Sequence, residues 1–264
     1  MNASLWIELA PIDRLDGELI VAEVLGKDRA FLHAHPEYDI KKKELDQIRA
    51  MINRRRLGEP LAYILGRKEF YGRNFKVTPN TLIPRPETES LVTEIISLRP
   101  RDILDVGTGS GCIAITLAKE LPEAKITAVD ISEDALAVAR ENAQNYGVNI
   151  EFRQSDLLKN LAKTEKYDLI VANLPYVDEN WDWLGAEINF EPKNALYAKD
   201  GGLEFIKKLI DQAPDYLNPD ACLVLEADSS QHQEIIKYAQ RTGSFSYAKK
   251  ADENSALALV LRLR

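Results

Sequence analysis

The sequence predicts an α/β protein: a mostly parallel seven-stranded sheet whose last strand is antiparallel, preceded by a small helical domain and a β-hairpin linker. Three observations carry this. From residue 87 onward, short apolar runs alternate with helical patterns, which means a parallel sheet covered on both faces. The last two runs, 244–250 and 256–263, are joined by a short polar link with no helix, which suits an antiparallel pair. The first 66 residues show helical periodicity only. The expected boundaries are a helical bundle at 1–66, a hairpin and linker at 67–86, and the α/β domain at 87–264.

Composition narrows the class. The chain has 264 residues, 34 Lys+Arg, 42 Asp+Glu and a net charge of −8. With 45% hydrophobic and 29% charged residues it is neither disordered, nor collagen-like, nor a disulfide scaffold. Residues 1–73 hold 13 Lys+Arg and 12 Asp+Glu, and the remainder 21 and 30. An acidic body argues against broad nucleic-acid binding, which needs phosphate neutralisation. Cys112 and Cys222 read as buried free thiols of a reducing compartment. His33 and His35 are expected in a loop before Pro36, and His33, His35 and His232 lack the spacing of a zinc site, so no metal is expected. No apolar run is long enough to span a membrane, and the start lacks the pattern of a signal peptide; the expectation is cytoplasmic.

The elements follow in order. Leu15, Leu19, Ile20, Val24 and Leu25 recur near a 3.6 period, and Gly26 closes that helix. Residues 41–56 make another, with Leu45, Ile48 and Ile52 on one stripe and Gly58 as its stop. The basic runs Lys41–Lys43 and Arg54–Arg56 read as a solvated helix face. Residues 67–83 read as a hairpin around Gly72. Pro84 and Pro86 stiffen the next stretch, and Pro86 opens a helix carrying Glu87 and Glu89. Strands are expected at 102–106, 125–130, 150–154, 167–172 and 222–227, and helices at 110–121, 132–146, 203–216 and 229–241.

Two strand ends carry chemistry. After the first strand comes Asp105-Val-Gly-Thr-Gly-Ser-Gly-Cys, in which Gly107, Gly109 and Gly111 permit a tight turn and close approach of a ligand to the backbone. The spacing is G-x-G-x-G, not the dinucleotide G-x-G-x-x-G, and no P-loop lysine follows. Asp130, at the tip of the second strand, stands where a ribose-binding carboxylate belongs. An acidic rim without a phosphate-binding cation suits a positively charged nucleoside, S-adenosylmethionine. Asp156 is positioned to meet its adenine amino group and Leu157 to cover the ring.

The fourth strand ends in Asn173-Leu174-Pro175-Tyr176. Pro175 biases Leu174 to extended geometry and aims its carbonyl outward. That carbonyl and the Asn173 side-chain oxygen are two acceptors for a planar –NH2 group, with Tyr176 to stack on it. An amide nitrogen is a poor nucleophile, so positioning and preorganised electrostatics are what such a site supplies.

At these residues the chain resembles the release-factor glutamine N5-methyltransferases, the PrmC/HemK family. The resemblance runs through RRRLGEPLAYILGRKEFYGRNFKV, LIPRPETE, DVGTGSGCIAI, AVDIS, QSDLL and FEPKNAL. It implies a class I S-adenosylmethionine-dependent methyltransferase, Rossmann-like in fold. It implies that Gly107, Thr108, Gly109, Ser110 and Gly111 bind the cofactor, with Asp130 on its ribose, Asp156 and Leu157 at the adenine, and Asn173 facing it. It implies that Asn173, Leu174, Pro175 and Tyr176 hold the glutamine of the Gly-Gly-Gln loop of class I peptide chain release factors. Arg85 would shape the pocket mouth, the helical domain would dock the partner protein, and the chain would act as a monomer. Two departures stand out: Leu174 replaces a proline, and Asp228 in LEADSSQ brings a charge where the family tends to have glycine.

The alternative activity is an N6-adenine methyltransferase on RNA or DNA, since Asn-Leu-Pro-Tyr also suits a planar amino group on a base. It needs a basic surface to hold the strand, which the acidic catalytic half lacks. A noncatalytic binding protein on the same fold is the third reading, and the intact Gly107–Gly111, Asp130, Asn173 and Tyr176 argue against it.

Overall fold

A computed structural model of the chain describes residues 11–181, 185–250 and 258–264. It divides into two compact units, Met1–Arg67 with Gly185–Phe190, and Lys68–Leu184 with Glu191–Arg264.

The smaller unit is helical: α1 (Arg14–Leu25), α2 (Arg29–Ala34), α3 (Lys42–Arg56) and α4 (Leu61–Leu65). Asp13 caps α1 by accepting from the Leu15 N–H, and Gly26 ends it in the left-handed region at φ 61°. Ile20, Val21, Leu32, Ile48 and Ile52 form its core. The inward face of α1 differs from the apolar stripe. Leu15 is 45% exposed, while Glu18 is buried. Arg14 and Arg29 donate to the Glu18 carboxylate at 3.1 and 2.8 Å. Burial pushes its pKa up, but these hydrogen bonds and the nearby positive charges outweigh that and hold it below the usual range. Hydrophobic periodicity cannot mark a paired carboxylate as core. His33 lies on α2, not in a loop, with Nε2 3.4 Å from Glu18. The solvated basic face holds in part: Arg56 is exposed, whereas Arg55 bridges to Asp16 at 2.5 Å and Glu187 at 2.6 Å.

The larger unit starts with a two-stranded hairpin, β1 (Arg67–Phe70) and β2 (Arg73–Lys76). Its turn, Tyr71-Gly72, has both φ angles positive, the twist that hairpin loops require. Phe70 and Phe75 are fully buried. Next comes α5 (Thr88–Leu98); Pro86 and Glu87 form the turn ahead of it, so the helix opens two residues later than Pro86 suggests.

The main sheet contains β3 (Asp102–Val106), β4 (Lys125–Asp130), β5 (Glu151–Gln154), β6 (Tyr167–Ala172), β7 (Leu217–Glu226), β8 (Phe245–Lys250) and β9 (Ala258–Leu263), in the order β5-β4-β3-β6-β7-β9-β8. Five strands are parallel, and β9 runs antiparallel to both β7 and β8, as the helix-free link predicts. The link itself, 251–257, lies outside the described residues. The crossovers are α6 (Cys112–Glu120), α7 (Glu133–Tyr146), the short α8 (Lys193–Leu196), α9 (Glu204–Gln212) and α10 (His232–Thr242). The helix expected over 203–216 stops at Gln212, and residues 213–215 form a 3-10 turn around Pro214. Proline lacks the N–H that an α-helix would use there.

Alternation along the strands sends side chains to two cores. Ile103, Leu169, Val171 and Val224 pack with α5 and α6. Leu104, Val106, Ile170, Leu223 and Leu225 pack with α9 and α10. Strand order reverses between β3 and β6, and in such sheets the crevice at the carboxyl ends of the strands flanking that switch point is where ligands bind.

Candidate active site

The glycine turn leaves β3 at this switch point. Gly107, Gly109 and Gly111 have φ of 78°, 55° and 80°. Gly107 and Thr108 donate their N–H groups to the Val129 carbonyl at 2.8 and 3.0 Å, folding the turn over the end of β4. A Cβ on Gly111 would stand 3.1 Å from Ala139 of α7 and one on Gly107 3.1 Å from the Leu174 side chain. The Asp130 carboxylate accepts from the Gly109 N–H and the Ser132 N–H, both at 2.9 Å. Burial pushes its pKa up, and those backbone donors pull it back.

Asp105 lies beneath the turn, fully buried. Its Oδ2 accepts from the Thr108 hydroxyl at 2.7 Å, and Oδ1 has no hydrogen-bond partner. Burial, with Asp130 nearby, pushes its pKa from the ordinary 3.8 to about 7. Asn142 on α7 is a supporting residue that sequence reasoning missed. Its amide donates to the carbonyls of Ser110 and Lys76 and accepts from the Lys76 N–H, joining turn, helix and hairpin. Nothing local marks it, since its partners lie 32 and 66 residues away.

Beside the turn, a cleft of about 1160 Å³ counted to its open mouth is lined by all of Gly107–Ser110, by Asp130, Asp156 and Leu157, and by Asn173, Leu174 and Pro175. Gly111 and Tyr176 are not among its lining residues. Asn173 Nδ2 lies 3.4 Å from the Thr88 hydroxyl of α5. Tyr176 turns its hydroxyl to Glu226 at the end of β7, 3.4 Å away. Glu226 is buried, and burial raises its pKa from 4.5 to about 7, although Thr88, Tyr176 and Asn173 favour the ionised form. Gln231 donates to the carbonyls of Tyr176 and Gly201, both at 2.8 Å, which pins the end of the Asn-Leu-Pro-Tyr segment. Gly202 is required there: a Cβ would stand 1.9 Å from the Tyr176 carbonyl oxygen.

The rim is polar. Asp156 pairs with Lys159 at 2.5 Å and stays partly exposed, while Leu157 is buried at a positive φ of 52°. Arg85 lines the cleft and donates to buried Glu191, whose other oxygen accepts from the Ile83 N–H at 3.0 Å. Asp228 turns inward on its own loop, accepting from the Ser230 N–H and hydroxyl at 2.9 and 2.6 Å, and does not line the cleft. Leu174 packs against Gly107, so the residue that replaces proline fills space under the turn. Among the described residues no cluster of His, Cys, Asp or Glu has the geometry of a metal site, and no helix is long and apolar enough to cross a membrane.

A glycine turn between the strand ends of a sheet in this order, with an acidic residue on the next strand tip, defines an S-adenosylmethionine-dependent methyltransferase of the Rossmann-like class. Residues 86–196 match the Methyltransferase small domain family and residues 4–66 the PrmC N-terminal domain. The release factor glutamine methyltransferase of Koribacter versatilis is 45% identical over 222 residues, covering 82% of this chain and 79% of the relative. That of Escherichia coli is 39% identical over 227 residues, covering 84% and 82%. A T. thermophilus 16S rRNA methyltransferase solved with AdoMet and guanosine superposes at a TM-score of 0.57, with 15% identity, over 75% of this chain and 50% of that one; it speaks for the fold. The chain belongs to the release factor glutamine methyltransferase family.

Proposed function

We propose that this enzyme methylates N5 of the glutamine in the Gly-Gly-Gln loop of class I peptide chain release factors, using S-adenosylmethionine. The observation that carries the reading is the placement of Asn173, Leu174 and Pro175 in the wall of the same cleft as the Gly107–Ser110 turn and Asp130. The cleft suits the cofactor. Two backbone N–H groups hold the Asp130 carboxylate beside the turn, where a ribose would meet it. The open side of Gly109 leaves room for close approach.

When bound, S-adenosylmethionine supplies an electrophilic methyl group on a sulfonium. The chain's own part is to orient and to exclude water. The Asn173 side-chain oxygen and the Leu174 carbonyl accept the two hydrogens of the glutamine –NH2, which fixes the plane of the amide and favours pyramidalisation of its nitrogen. Asp105 and Glu226 are buried beside these segments, and burial pushes both carboxyls up to about 7. Tyr176 lies outside the cleft lining, and its hydroxyl, 3.4 Å from Glu226, helps to anchor the segment that carries Asn173. Asp156 and Leu157 serve the adenine.

The helical unit is the docking part for the release factor in this reading. In its support, Leu57 is 74% exposed and Phe190, of the same unit, 40% exposed. The enzyme works in the cytoplasm as a monomer, without direct contact to nucleic acid. The test offers labelled cofactor to purified release factor, to its loop variant with Gln replaced by Ala, and to RNA. Label is expected on the first alone. Label on RNA and none on the release factor would establish the N6-adenine reading instead.

A further inference from the structure

Gln231 closes the loop between β7 and α10, and it is 6% exposed. Its Nε2 donates to the carbonyls of Tyr176 and Gly201, both at 2.8 Å, and its Oε1 accepts from the Asp228 N–H at 3.1 Å. A carbonyl only accepts and a backbone N–H only donates, so these partners fix which end of the carboxamide faces which. The loop holds the side chain ready. The Gln231 N–H donates to the Asp228 carbonyl at 2.9 Å, and the Asp228 carboxylate accepts from the Ser230 N–H and hydroxyl. Asp228, the charge that stands out in LEADSSQ, thus shapes the turn that presents Gln231.

The Tyr176 carbonyl and the Val177 N–H belong to one peptide plane. Gln231 holds its oxygen, and the Leu196 carbonyl accepts from its N–H at 3.0 Å. Packing leaves that plane little room: a Cβ on Gly202 would meet both the Tyr176 oxygen, at 1.9 Å, and the Gln231 Nε2, at 2.5 Å. At the other end of the segment Ala172 closes β6, in register with Val106 of β3 and Leu225 of β7. Between these two anchors lie Asn173, Leu174 and Pro175, and all three line the cleft. The Pro175 ring fixes its own φ and biases Leu174 to extended geometry. A chain this short, held at both ends and stiffened in the middle, has few conformations. The plane at Tyr176 therefore sets where Asn173 and the Leu174 carbonyl stand.

We propose that Gln231 is a positioning residue for methyl transfer: by holding the peptide plane between Tyr176 and Val177, it places Asn173 and the Leu174 carbonyl in the cleft wall. The inference rests on the reading of that segment as the holder of the amide that accepts the methyl group. Gln231 itself does not line the cleft. Its loss leaves other ties in place, because Val177 still donates to the Leu196 carbonyl and accepts from the Ala198 N–H at 3.0 Å. The plane tilts and the segment stays docked. The bonds from Gly109 and Ser132 to Asp130 on the cofactor side do not involve Gln231.

The test uses Gln231→Leu, which keeps most of the volume and removes both donors, and Gln231→Glu, which sets a carboxylate against two carbonyls. With release factor as substrate, kcat is expected to fall about tenfold in the first, the scale of one hydrogen bond, and about a hundredfold in the second. Cofactor affinity, by calorimetry, stays unchanged in both. Hydrogen exchange of the Val177 amide, by NMR, is expected about tenfold faster in Gln231→Leu than in wild type. Thermal melts set the assay temperature well below each transition, so that loss of folded enzyme does not read as loss of kcat. If Gln231→Glu fails to fold, Gln231→Leu decides alone. Unchanged kcat with faster Val177 exchange shows a purely stabilising side chain and overturns the proposal, as does a fall in kcat matched by a fall in cofactor affinity. Methylation of release factor by the wild type leaves the proposed function standing in either case. A wild type that labels RNA alone overturns that function, and the same variants, assayed on that planar amino group, then decide the role of Gln231.

Discussion

In the proposed function Asn173 acts through geometry. Its carboxamide does not ionise near neutral pH, so its part there is an acceptor held where a substrate amide presents a hydrogen. Replacing it with Ala is expected to lower kcat by about 10²–10³ while cofactor affinity changes little. Steady-state kinetics beside calorimetry separates the two, and an unaltered turnover number removes the role assigned here. Gly202 makes the complementary point. With a Cβ 1.9 Å from the Tyr176 carbonyl oxygen, any other residue must push the Asn-Leu-Pro-Tyr segment out of place. Its neighbour Gly201 also has positive φ, and neither is remarkable in the sequence, because the reason for Gly202 lies across the fold in Tyr176.

Among the elements, α7 holds the glycine turn through Ala139 and Asn142. Ser132 caps it by accepting from the Ala135 N–H at 3.2 Å, and Ala139 packs against Gly111 so closely that the turn has one height over the helix. Asn142, further along the same helix, ties the turn to the hairpin through three hydrogen bonds. Asn142→Ala leaves those buried backbone groups unmatched and is expected to cost about 2–4 kcal/mol of stability. Denaturant melts measure that loss, and weaker cofactor binding in the same variant reports the loosened turn. Equal midpoints in wild type and variant would show that the tie carries no load.

For the whole molecule, pH and the partner surface are the levers. Asp105 and Glu226 ionise near pH 4 in the unfolded chain and near 7 in the folded one. Between those values the unfolded state has released protons that the folded state retains. Rising pH therefore lowers stability from about pH 4 to about pH 7, with no further loss from these groups above it. Asp105→Asn keeps an acceptor for Thr108 and removes the buried charge, so its melting temperature is expected to exceed that of wild type at pH 8 and to match it more closely at pH 5. Thermal melts at the two pH values check the sign; a smaller gap at pH 8 than at pH 5 contradicts it. Glu18, Glu165 and Asp168 act the other way: their lowered pKa values supply stability that disappears on acidification. The docking role proposed for the helical unit predicts that Leu57→Ser raises KM for release factor about tenfold with cofactor affinity intact. Titration of both substrates against the variant measures this, and equal KM values exclude Leu57 from the docking face.

Much of this was legible from residue order alone. Strand and helix periods, the positive-φ glycines after β3 and the helix-free link between the last strands are local patterns, and local sterics and burial determine them. Gly107 to Gly111, Asp130 and Asn173 to Tyr176 could be singled out because each sits at a strand end whose position the pattern already sets. The tertiary structure alone decided what surrounds them. It buried Glu18 rather than Leu15, turned Asp228 onto its own loop, left Tyr176 facing Glu226, and brought Thr88, Glu226, Gln231 and Asn142 to the site. Those residues act through partners dozens of positions away, and a hydrogen bond between distant segments leaves no periodicity in the chain that makes it.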